Sequence, residues 1–430
     1  MVLQAFGLII GAAVLVQVLF LLYTSIRQNQ GTLKLLDQQI KDAMDAADMH
    51  HKARQQKLKQ TGLSWVGYRK FEVQRKIVED GNKQVCSFYL APHDRRPLPS
   101  FKAGQFLTFQ LNIPSPQNDG GRSGRPTIRC YSLSDAPNSE YFRVSIKRVP
   151  PPRNQPDAPP GLSSNFFHDS ISEGDILDVK APSGNFYLDI EHESPVVLIG
   201  GGIGITPMLS MLFSLVKSGT RREVRLFYGV RNSLEQIEKD RLLRIAEENE
   251  NVHLHLCYSR PNEDDKIDKD YHHKGFISVE LFKQLLPSNN YQYYLCGPPP
   301  MMEAVFSDLS DWGVPEEDIH FEAFGPATIK KSKASQAVEV AAKSADDISV
   351  TFSKSGKACT WDPAAASLLE FAEANDVVID SGCQVGNCNT CWTAIKDGDV
   401  NYVHEPDTMP EKGSCLTCVS IPAGNLVLDA

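Results

Sequence analysis

The sequence lacks the basic blocks and the basic stripes interleaved with aromatic residues that a nucleic-acid-binding surface requires. It contains 44 Lys and Arg residues against 53 Asp and Glu residues, which gives a net charge of −9 at pH 7. A chain with this balance repels a phosphate backbone, so we expect no nucleic-acid partner. Its length of 430 residues and its 41% hydrophobic content predict two to four globular domains.

The sequence also lacks an even distribution of cysteines along its length. Five of the ten cysteines lie within residues 383–418, and the other five stand singly at Cys86, Cys130, Cys257, Cys296 and Cys359. A secreted protein held by disulfides distributes its cysteines as a framework along the whole chain. We therefore expect a reducing compartment.

Charged residues are absent from residues 2–26, which form an apolar run of about transmembrane length. We predict a membrane anchor over residues 1–30. A cleaved signal peptide fits less well, because no Lys or Arg precedes the run and the run is too long. Arg27, Lys34 and Lys41 follow the run, so the positive-inside rule predicts a single-pass protein whose remaining domains are cytoplasmic. Apolar residues at helical spacing over residues 31–62 predict a helical stalk.

The clustered cysteines have the spacing of metal ligands. The pattern C-x₄-C-x₂-C occurs at Cys383, Cys388 and Cys391, and Cys415 and Cys418 follow it. This is the plant-type [2Fe–2S] spacing, whereas a zinc ribbon has two C-x₂-C pairs. Gly386 lets the backbone turn tightly between the ligands. The spacing predicts a [2Fe–2S] cluster and leaves the choice between Cys415 and Cys418 open.

Residues 63–190 contain short alternating segments broken by Pro and Gly, which predicts a small antiparallel β-barrel. The predicted strands are residues 68–79, 84–91, 105–112, 127–133 and 141–148. Within this region Arg129 can neutralise a phosphate, Tyr131 offers a flat apolar face to a flavin ring, and Ser132 can hydrogen-bond to the polar edge of the ring. The region is a candidate flavin-binding domain.

Residues 191–326 contain an apolar run followed by a glycine-rich turn that includes Gly202 and Gly204. This pattern indicates a strand, a turn that approaches a pyrophosphate, and a helix that Thr206 can cap with Pro207 in its first position. Pro207 replaces the third glycine of the standard dinucleotide fingerprint, and no acidic residue ends the next strand. Strands at 224–228, 252–258 and 291–295 alternate with helices near 208–217, 236–248 and 280–286. An α/β domain with a parallel sheet is therefore predicted.

Residues 327–346 are rich in Ala, Lys and Ser, and we interpret them as a linker. Residues 347–430 form the last predicted domain. They hold the cysteine cluster, a predicted helix near 365–375 and a closing strand at 426–429.

In combination these motifs resemble the ferredoxin-reductase superfamily, in which a flavin barrel, a pyridine-nucleotide domain and here an appended plant-type ferredoxin of β-grasp fold occur in one chain. The first two parts are most similar to the reductase half of flavohaemoglobins and to the reductase components of oxygenases. The resemblance rests on residues 129–132, 160–165, 200–207, 296–298 and 321–325.

The resemblance implies a role for each matched residue. Arg129, Gly161 and Ser164 would meet the pyrophosphate of FAD, Tyr131 would stack on its ring, and Ser132 would hydrogen-bond near the hydride-accepting nitrogen. NADH would be held by Gly202, Gly204 and Thr206, and its nicotinamide would be flanked by Cys296 and Glu322. Phe324 would cover the flavin until the nicotinamide displaces it. The cluster ligands would be Cys383, Cys388, Cys391 and Cys418, because the last family ligand stands in a Leu-Thr-Cys context.

We therefore expect a membrane-anchored, NADH-dependent reductase that passes electrons from NADH to FAD, then to the [2Fe–2S] cluster, and then to a protein acceptor. A membrane-associated oxygenase or desaturase is the expected acceptor, because a membrane anchor concentrates two partners on the same surface. An NADH:quinone reductase and a redox-sensing or assembly subunit are the alternatives.

Overall fold

The computed structural model describes residues 63–65, 67–114, 127–151, 159–324, 348–382, 386, 390–403, 406 and 409–430. The predicted anchor at 1–30, the predicted stalk at 31–62 and the predicted linker at 327–346 lie outside these residues. Among the helices that the structure describes, none is both long enough and apolar enough to cross a membrane.

Six antiparallel strands form the first sheet, in the order β4-β3-β6-β1-β2-β5. They are β1 (Arg69–Val78), β2 (Val85–Pro92), β3 (Phe106–Leu111), β4 (Thr127–Ser132), β5 (Phe142–Lys147) and β6 (Ile176–Val179). The edge strands β4 and β5 approach each other where Leu133 bridges Val144, so the sheet curls towards the predicted barrel. Its core is aromatic and includes the fully buried Phe71, Phe88 and Phe109.

The helix α1 (Leu162–Asp169) belongs to this domain and follows β5. Phe167 packs it against the sheet, with ring centroids 5.2 Å from Phe88 and 5.3 Å from Phe109. The sequence did not predict this helix, because its amino end is rich in Pro, Gly and Ser. Packing of an aromatic residue on the core outweighs that local preference.

Six parallel strands form the second sheet, in the order β10-β9-β8-β7-β11-β12. They are β7 (Val196–Gly201), β8 (Val224–Val230), β9 (Val252–Tyr258), β10 (His273–Lys274), β11 (Gln292–Cys296) and β12 (Ile319–Glu322). The chain runs outward from β7 in one direction and then returns to its other side. The carboxyl end of β7 is therefore a topological switch point, where ligands of open α/β sheets bind.

The helices of this domain are α2 (Ile205–Ser218), α3 (Lys239–Glu248), α4 (Val279–Leu285) and α5 (Pro299–Asp311). The three helices predicted from the sequence are present, and α5 was not predicted. Its first residues are prolines, which are compatible with the first turn of a helix because that turn needs no intrahelical N–H donor. Gly219 ends α2 in a left-handed conformation with φ of 69°.

The prediction for the start of α2 was wrong in detail. Thr206 lies inside the first turn rather than at the cap, since the helix begins at Ile205 and is preceded by Gly204. The Thr206 hydroxyl donates to the carbonyl of Ile203 at 3.0 Å, and Pro207 occupies the third position of the helix. The glycine turn continues directly into the helix and leaves no extended residue to cap it.

The carboxyl-terminal domain has a five-stranded sheet in the order β14-β13-β19-β15-β17 and a two-stranded sheet, β16-β18. Its elements are β13 (Ser349–Phe352), β14 (Lys357–Thr360), α6 (Leu368–Ala374), β15 (Trp392–Asp397), β16 (Val400–Tyr402), β17 (Ser414–Leu416), β18 (Ser420–Pro422) and β19 (Leu426–Leu428). Phe371 of α6 packs against Phe352 and Trp361. The predicted antiparallel, parallel and ferredoxin-type domains thus follow one another along the chain.

Candidate active site

A cavity of about 580 Å³ brings together residues from all three domains. Gly382, the last described residue before the predicted ligand Cys383, lies in its wall beside residues of the first two sheets. Eight of the residues predicted from the sequence also line it: Arg129, Tyr131, Ser132, Gly161, Ser164, Thr206, Glu322 and Phe324. The volume is in the range of small-molecule and cofactor sites.

Tyr131 provides a fixed aromatic surface in this cavity. It lies on β4, and its ring packs edge-on against Phe109 and Phe167, with centroids 5.8 Å and 5.3 Å away. Burial raises the pKa of Tyr131 well above its usual value, so the phenol stays neutral. These contacts hold a flat, uncharged face towards the cavity, as stacking on a cofactor ring requires.

The amino end of α1 supplies backbone N–H groups to the same cavity. Gly161 precedes the helix, and a Cβ atom there would lie 2.7 Å from the Cβ of Val149, so a larger residue would displace the loop. The positive end of a helix dipole and free N–H groups form a binding site for an anion. Arg129 adds a guanidinium to the cavity wall.

The two serines of α1 have different environments. The Ser164 hydroxyl is used locally, since it accepts from the Val149 N–H and donates to the Gly161 carbonyl, both at 3.2 Å. The Ser163 hydroxyl is buried in the cavity wall, and it has no hydrogen-bond partner among the described residues. Ser163 was missed by the sequence analysis, because only the register of the helix distinguishes it from Ser164. An unpaired buried hydroxyl, a helix amino end, an arginine and a buried aromatic ring together fit a flavin nucleotide.

A carboxylate and a hydroxyl meet at the nucleotide-domain side of the cavity. The Ser132 hydroxyl donates to Oε2 of Glu322 at 3.4 Å, across the two domains. Both residues are buried, with 6% and 8% of their surface exposed. Glu322 ends β12 in register with Cys296 of β11, and Cys296 is in register with Gly200 of β7. Glu322, Cys296 and Gly200 therefore lie at one level of the sheet, at or next to the carboxyl ends of three neighbouring strands.

Cys296, Gly202 and Gly204 were predicted site residues, but they are not in the wall of this cavity. Cys296 is fully buried, and burial raises the pKa of its thiol well above the usual value. A Cβ atom at Gly204 would lie 2.3 Å from the Cys296 carbonyl oxygen, so this glycine permits close packing of the turn on β11. Gly202 has φ of +55°, which makes the turn after β7 possible.

Phe324 lines the cavity at the end of the described segment, with 41% of its surface exposed. This position suits a side chain that covers a cofactor face and can be displaced from it.

The described part of the cluster site contains two of the four predicted ligands. The sulfur atoms of Cys391 and Cys418 lie 3.0 Å apart. The other two predicted ligands, Cys383 and Cys388, lie outside the described residues. Cys415 is fully buried in a different core, with Phe352 and Phe371, and burial raises the pKa of its thiol to about 12.

Comparisons with known proteins cover all three domains. Residues 198–306 match the oxidoreductase NAD-binding domain, and residues 350–423 match the 2Fe-2S iron-sulfur cluster binding domain. A flavohemoprotein of Halalkalibacterium halodurans is 39% identical over 263 residues, which are 61% of this chain and 61% of that protein. The chain therefore spans about three fifths of the length of the curated relatives that it matches.

Two solved structures extend the comparison. The flavohem-like FAD/NAD-binding domain of nitric oxide dioxygenase from Vibrio cholerae is 30% identical to this chain, with a TM-score of 0.51. The aligned region covers 60% of this chain and 99% of that domain. Phthalate dioxygenase reductase, described as a modular structure for electron transfer from pyridine nucleotides to [2Fe-2S], is 28% identical, with 85% and 98% coverage and a TM-score of 0.51.

The fold and these matches define an oxidoreductase that combines a flavin domain, an NAD-binding domain and a [2Fe–2S] domain. More particularly, the chain combines an NAD-binding domain of the ferredoxin-reductase family with a carboxyl-terminal 2Fe-2S domain, and it has flavohaemoprotein-like reductase homologues. The predictions of an oxidoreductase and of FAD, NADH and a [2Fe–2S] cluster as its cofactors are confirmed at this level.

Proposed function

We propose that this protein oxidises NADH and delivers the electrons one at a time, through FAD and the [2Fe–2S] cluster, to a protein acceptor. The observation that carries the proposal is the composition of the cavity wall. Tyr131 comes from the flavin domain, Thr206 from the nucleotide domain, and Gly382 from the segment that leads into the cluster loop. One cavity therefore gives the flavin access to both its electron donor and its electron acceptor.

The flavin domain would hold FAD through three groups. Tyr131 would stack on the ring, Arg129 would neutralise the pyrophosphate, and the Ser163 hydroxyl would donate to it together with the N–H groups at the start of α1. When bound, FAD accepts a hydride and releases single electrons, which is chemistry that the side chains do not supply. The role of the protein is to bind, orient and exclude water.

The nucleotide domain would position the nicotinamide at Ser132 and Glu322. The Ser132 hydroxyl, which lies 3.4 Å from the Glu322 carboxylate, would also hydrogen-bond to the polar edge of a bound flavin. Cys296 has a neutral thiol and contributes apolar packing behind the strand ends. Phe324 would shield the flavin until the nicotinamide takes its place.

We propose NADH rather than NADPH as the physiological donor, on the basis of an ion pair at the end of β8. Arg231 lies there beside the end of β9, where the Arg260 N–H donates to the Arg231 carbonyl at 2.8 Å. The guanidinium of Arg231 pairs with Glu235. Burial alone would raise the pKa of Glu235, but the contact with Arg231 outweighs it and keeps the group a carboxylate. A 2′-phosphate at this edge would meet a negative charge and an arginine that is already paired.

The cluster would be held by Cys383, Cys388, Cys391 and Cys418. The 3.0 Å separation of the Cys391 and Cys418 sulfur atoms supports the choice of Cys418, and the burial of Cys415 in a separate core supports its exclusion.

A protein is the proposed acceptor because of the surface next to the cluster. Trp392 directly follows the ligand Cys391 and is 50% exposed, and tryptophan is enriched in protein interfaces. Residues 347–430 contain twelve Asp and Glu residues and four Lys residues, so they hold eight of the nine net negative charges of the chain. An acceptor with a basic docking surface fits this domain. We propose an oxygenase or a desaturase at the membrane, which residues 1–30 would reach as a single-pass anchor with the other domains in the cytoplasm.

Steady-state oxidation of NADH by the full-length protein tests this function against its alternatives. We expect rapid turnover with ferricyanide and with cytochrome c, which takes single electrons, and slow turnover without an acceptor. Turnover with a soluble quinone that exceeds turnover with cytochrome c would favour the NADH:quinone reductase. Negligible turnover with every acceptor would favour the redox-sensing or assembly subunit.

Removal of residues 1–30 tests the anchor separately. Because every cofactor motif lies beyond Trp65, the truncated protein should be soluble and should reduce ferricyanide at the rate of the full-length protein. Turnover with a membrane-bound acceptor should fall steeply at low enzyme concentration. Loss of flavin on truncation would show that this segment belongs to the catalytic unit.

A further inference from the structure

A fully buried arginine lies between the flavin domain and the nucleotide domain. Arg143 is on β5, and none of its side chain is exposed. Its guanidinium pairs with Glu79 of its own domain at 2.9 Å and with Glu238 of the nucleotide domain. The two carboxylate side chains are only 13% and 12% exposed. One buried cation is thus shared by two largely buried anions from different domains.

Such an ion triad is strongly bound in its folded geometry. Burial alone lowers the pKa of Arg143, and the carboxylates of Glu238 and Glu79 reverse that effect and raise it. A charge that loses its partner inside a protein is much less favourable than a paired charge, so separating the domains at this point is costly. The triad therefore resists a change in domain orientation.

The backbone conformation of Glu238 is independent evidence that the surrounding structure holds this residue in place for its ion pair with Arg143. Glu238 immediately precedes α3 and has φ of 58° and ψ of 22°, in the left-handed region that a glutamate rarely adopts. Strained backbone of this kind persists where the surrounding contacts require it. The ion pair with Arg143 is the contact that the strained residue makes with the other domain.

A chain of hydroxyl groups connects Arg143 to the flavin cavity. Arg143 donates to the Ser87 hydroxyl at 3.2 Å, Ser87 lies 2.7 Å from the Ser145 hydroxyl, and Ser145 lies 2.9 Å from the Ser134 hydroxyl. Ser145 is part of the cavity wall. The guanidinium is therefore linked through two hydrogen bonds to the wall of the cavity in which the flavin would lie.

We propose that Arg143 is a positioning residue that, through Glu238, fixes the nucleotide domain against the flavin domain at the separation that hydride transfer needs. The inference rests on the proposed oxidation of NADH. Hydride transfer requires reacting atoms about 3–3.5 Å apart, and a misplacement of about 1 Å can reduce the rate about a hundredfold. A second pair, Arg241 of α3 with Asp135, also crosses the two domains, but the arginine is 40% exposed. The buried triad holds the orientation more firmly than this exposed pair.

Single-turnover kinetics of Glu238→Gln and Glu238→Ala test the proposal. Glutamine keeps the size of the side chain and removes its charge, so this variant should fold and retain FAD. At saturating NADH we expect flavin reduction at least tenfold slower than in the unaltered protein for Glu238→Gln, and slower still for Glu238→Ala. Arg143→Lys, which keeps the charge but not the forked geometry, should show an intermediate rate.

Three controls separate positioning from a general loss of structure. Lys283→Gln removes an exposed ion pair with Glu280 within the nucleotide domain, and it should leave the rate unchanged. Flavin content should be equal in all variants. Reoxidation of dithionite-reduced protein by ferricyanide, which does not use the nucleotide domain, should also be equal.

Wild-type rates of flavin reduction in Glu238→Gln, with unchanged saturation by NADH, would overturn the proposal. So would a parallel loss of ferricyanide reoxidation, since a general defect would then explain the result. If the unaltered protein does not oxidise NADH, the proposed function fails instead, and the two failures are thereby distinguished.

Discussion

The nucleotide domain and the ferredoxin-type domain meet the flavin domain in different ways. The nucleotide domain is joined to it by the buried pair of Arg143 with Glu238, by Arg241 with Asp135, and by the Ser210 hydroxyl, which donates to the Asp135 carbonyl at 3.0 Å. The ferredoxin-type domain contributes Gly382 to the same cavity. This difference suits the two proposed transfers, which are hydride transfer from NADH to the flavin and electron transfer from the flavin to the cluster. A hydride ion, a proton with two electrons, is transferred over a short, fixed distance and forms a new covalent bond, whereas a single electron is transferred without bond formation.

The two domains also differ in charge and in titratable groups. The ferredoxin-type domain carries almost all of the net negative charge and contains one of the eleven histidines. The nucleotide domain contains a group of histidines, His253, His255, His272 and His273, at the β9–β10 edge of its sheet. Mutation, pH and nucleotide choice can therefore perturb one transfer and leave the other intact.

The largest effect is expected from loss of the cluster, which removes the path for electrons beyond the flavin and leaves hydride transfer to the flavin intact. Cys418→Ser should abolish the visible absorbance and the paramagnetic signal of the cluster, because one of four thiolate ligands is lost. Reduction of cytochrome c should then fall to background, while NADH-dependent reduction of ferricyanide through the flavin continues.

Cys415→Ser is the matched control, three residues away. It should keep the cluster and lower the free energy of unfolding by about 1–2 kcal/mol, because a hydroxyl replaces a thiol in an apolar core. Loss of the cluster in Cys415→Ser with retention in Cys418→Ser would show that the ligand assignment is wrong.

The next largest effect is expected on hydride transfer from NADH to the flavin alone. Ser132→Ala removes the hydroxyl that meets Glu322, and we expect flavin reduction by NADH to slow about tenfold to a hundredfold. Stopped-flow absorbance of the flavin measures this rate. The exposed Ser310→Ala provides a control. A slower reduction of the cluster by an already reduced flavin would contradict the assignment of Ser132 to hydride transfer.

Acid should weaken the nucleotide domain before the ferredoxin-type domain. His255 stacks on Phe227 with ring centroids 4.5 Å apart, and burial lowers its pKa to about 3. The unfolded chain, with a pKa of about 6.5, binds a proton that the folded state does not. The contribution of neutral His255 to the free energy of unfolding is therefore complete above pH 6.5 and is lost as the pH falls, by about 1–2 kcal/mol at pH 5.

Chemical unfolding of the protein at pH 7.5 and pH 5, followed by circular dichroism, measures this loss. His255→Gln should reduce the difference between the two pH values, whereas His93→Gln, which alters an exposed histidine, should preserve it. An equal pH dependence in the unaltered protein and in His255→Gln would show that His255 does not cause the loss of stability at low pH.

The smallest effect concerns nucleotide choice. Glu235→Gln frees Arg231 for a 2′-phosphate and should raise the ratio of kcat/KM for NADPH to that for NADH about threefold to fivefold. The control Glu280→Gln alters an exposed ion pair elsewhere in the same domain. An unchanged ratio would mean that the Arg231–Glu235 pair does not select the nucleotide.

The strands that the sequence predicted in the first two domains begin and end within about two residues of their predicted bounds, because their apolar periodicity is strong, whereas the short strands β6, β10 and β12 were not predicted. For example, the interval 141–148 became Phe142–Lys147. The helices α1 and α5 were not predictable, because their first turns contain Gly, Pro and Ser, and only packing on a sheet stabilises them. The distinction between Ser163 and Ser164 depended on helix register. The buried Arg143 could not be foreseen, because its partner Glu238 lies 95 residues away in another domain.

The central claim is that one chain moves electrons from NADH through a flavin to a [2Fe–2S] cluster. An anaerobic titration with NADH, followed by flavin absorbance and by the paramagnetic signal of the cluster in the same sample, tests it most directly. The flavin takes two electrons and the cluster one, so complete reduction should require about 1.5 equivalents of NADH per chain, with the cluster signal appearing as the flavin bleaches. Complete bleaching at about one equivalent without a cluster signal would contradict the account.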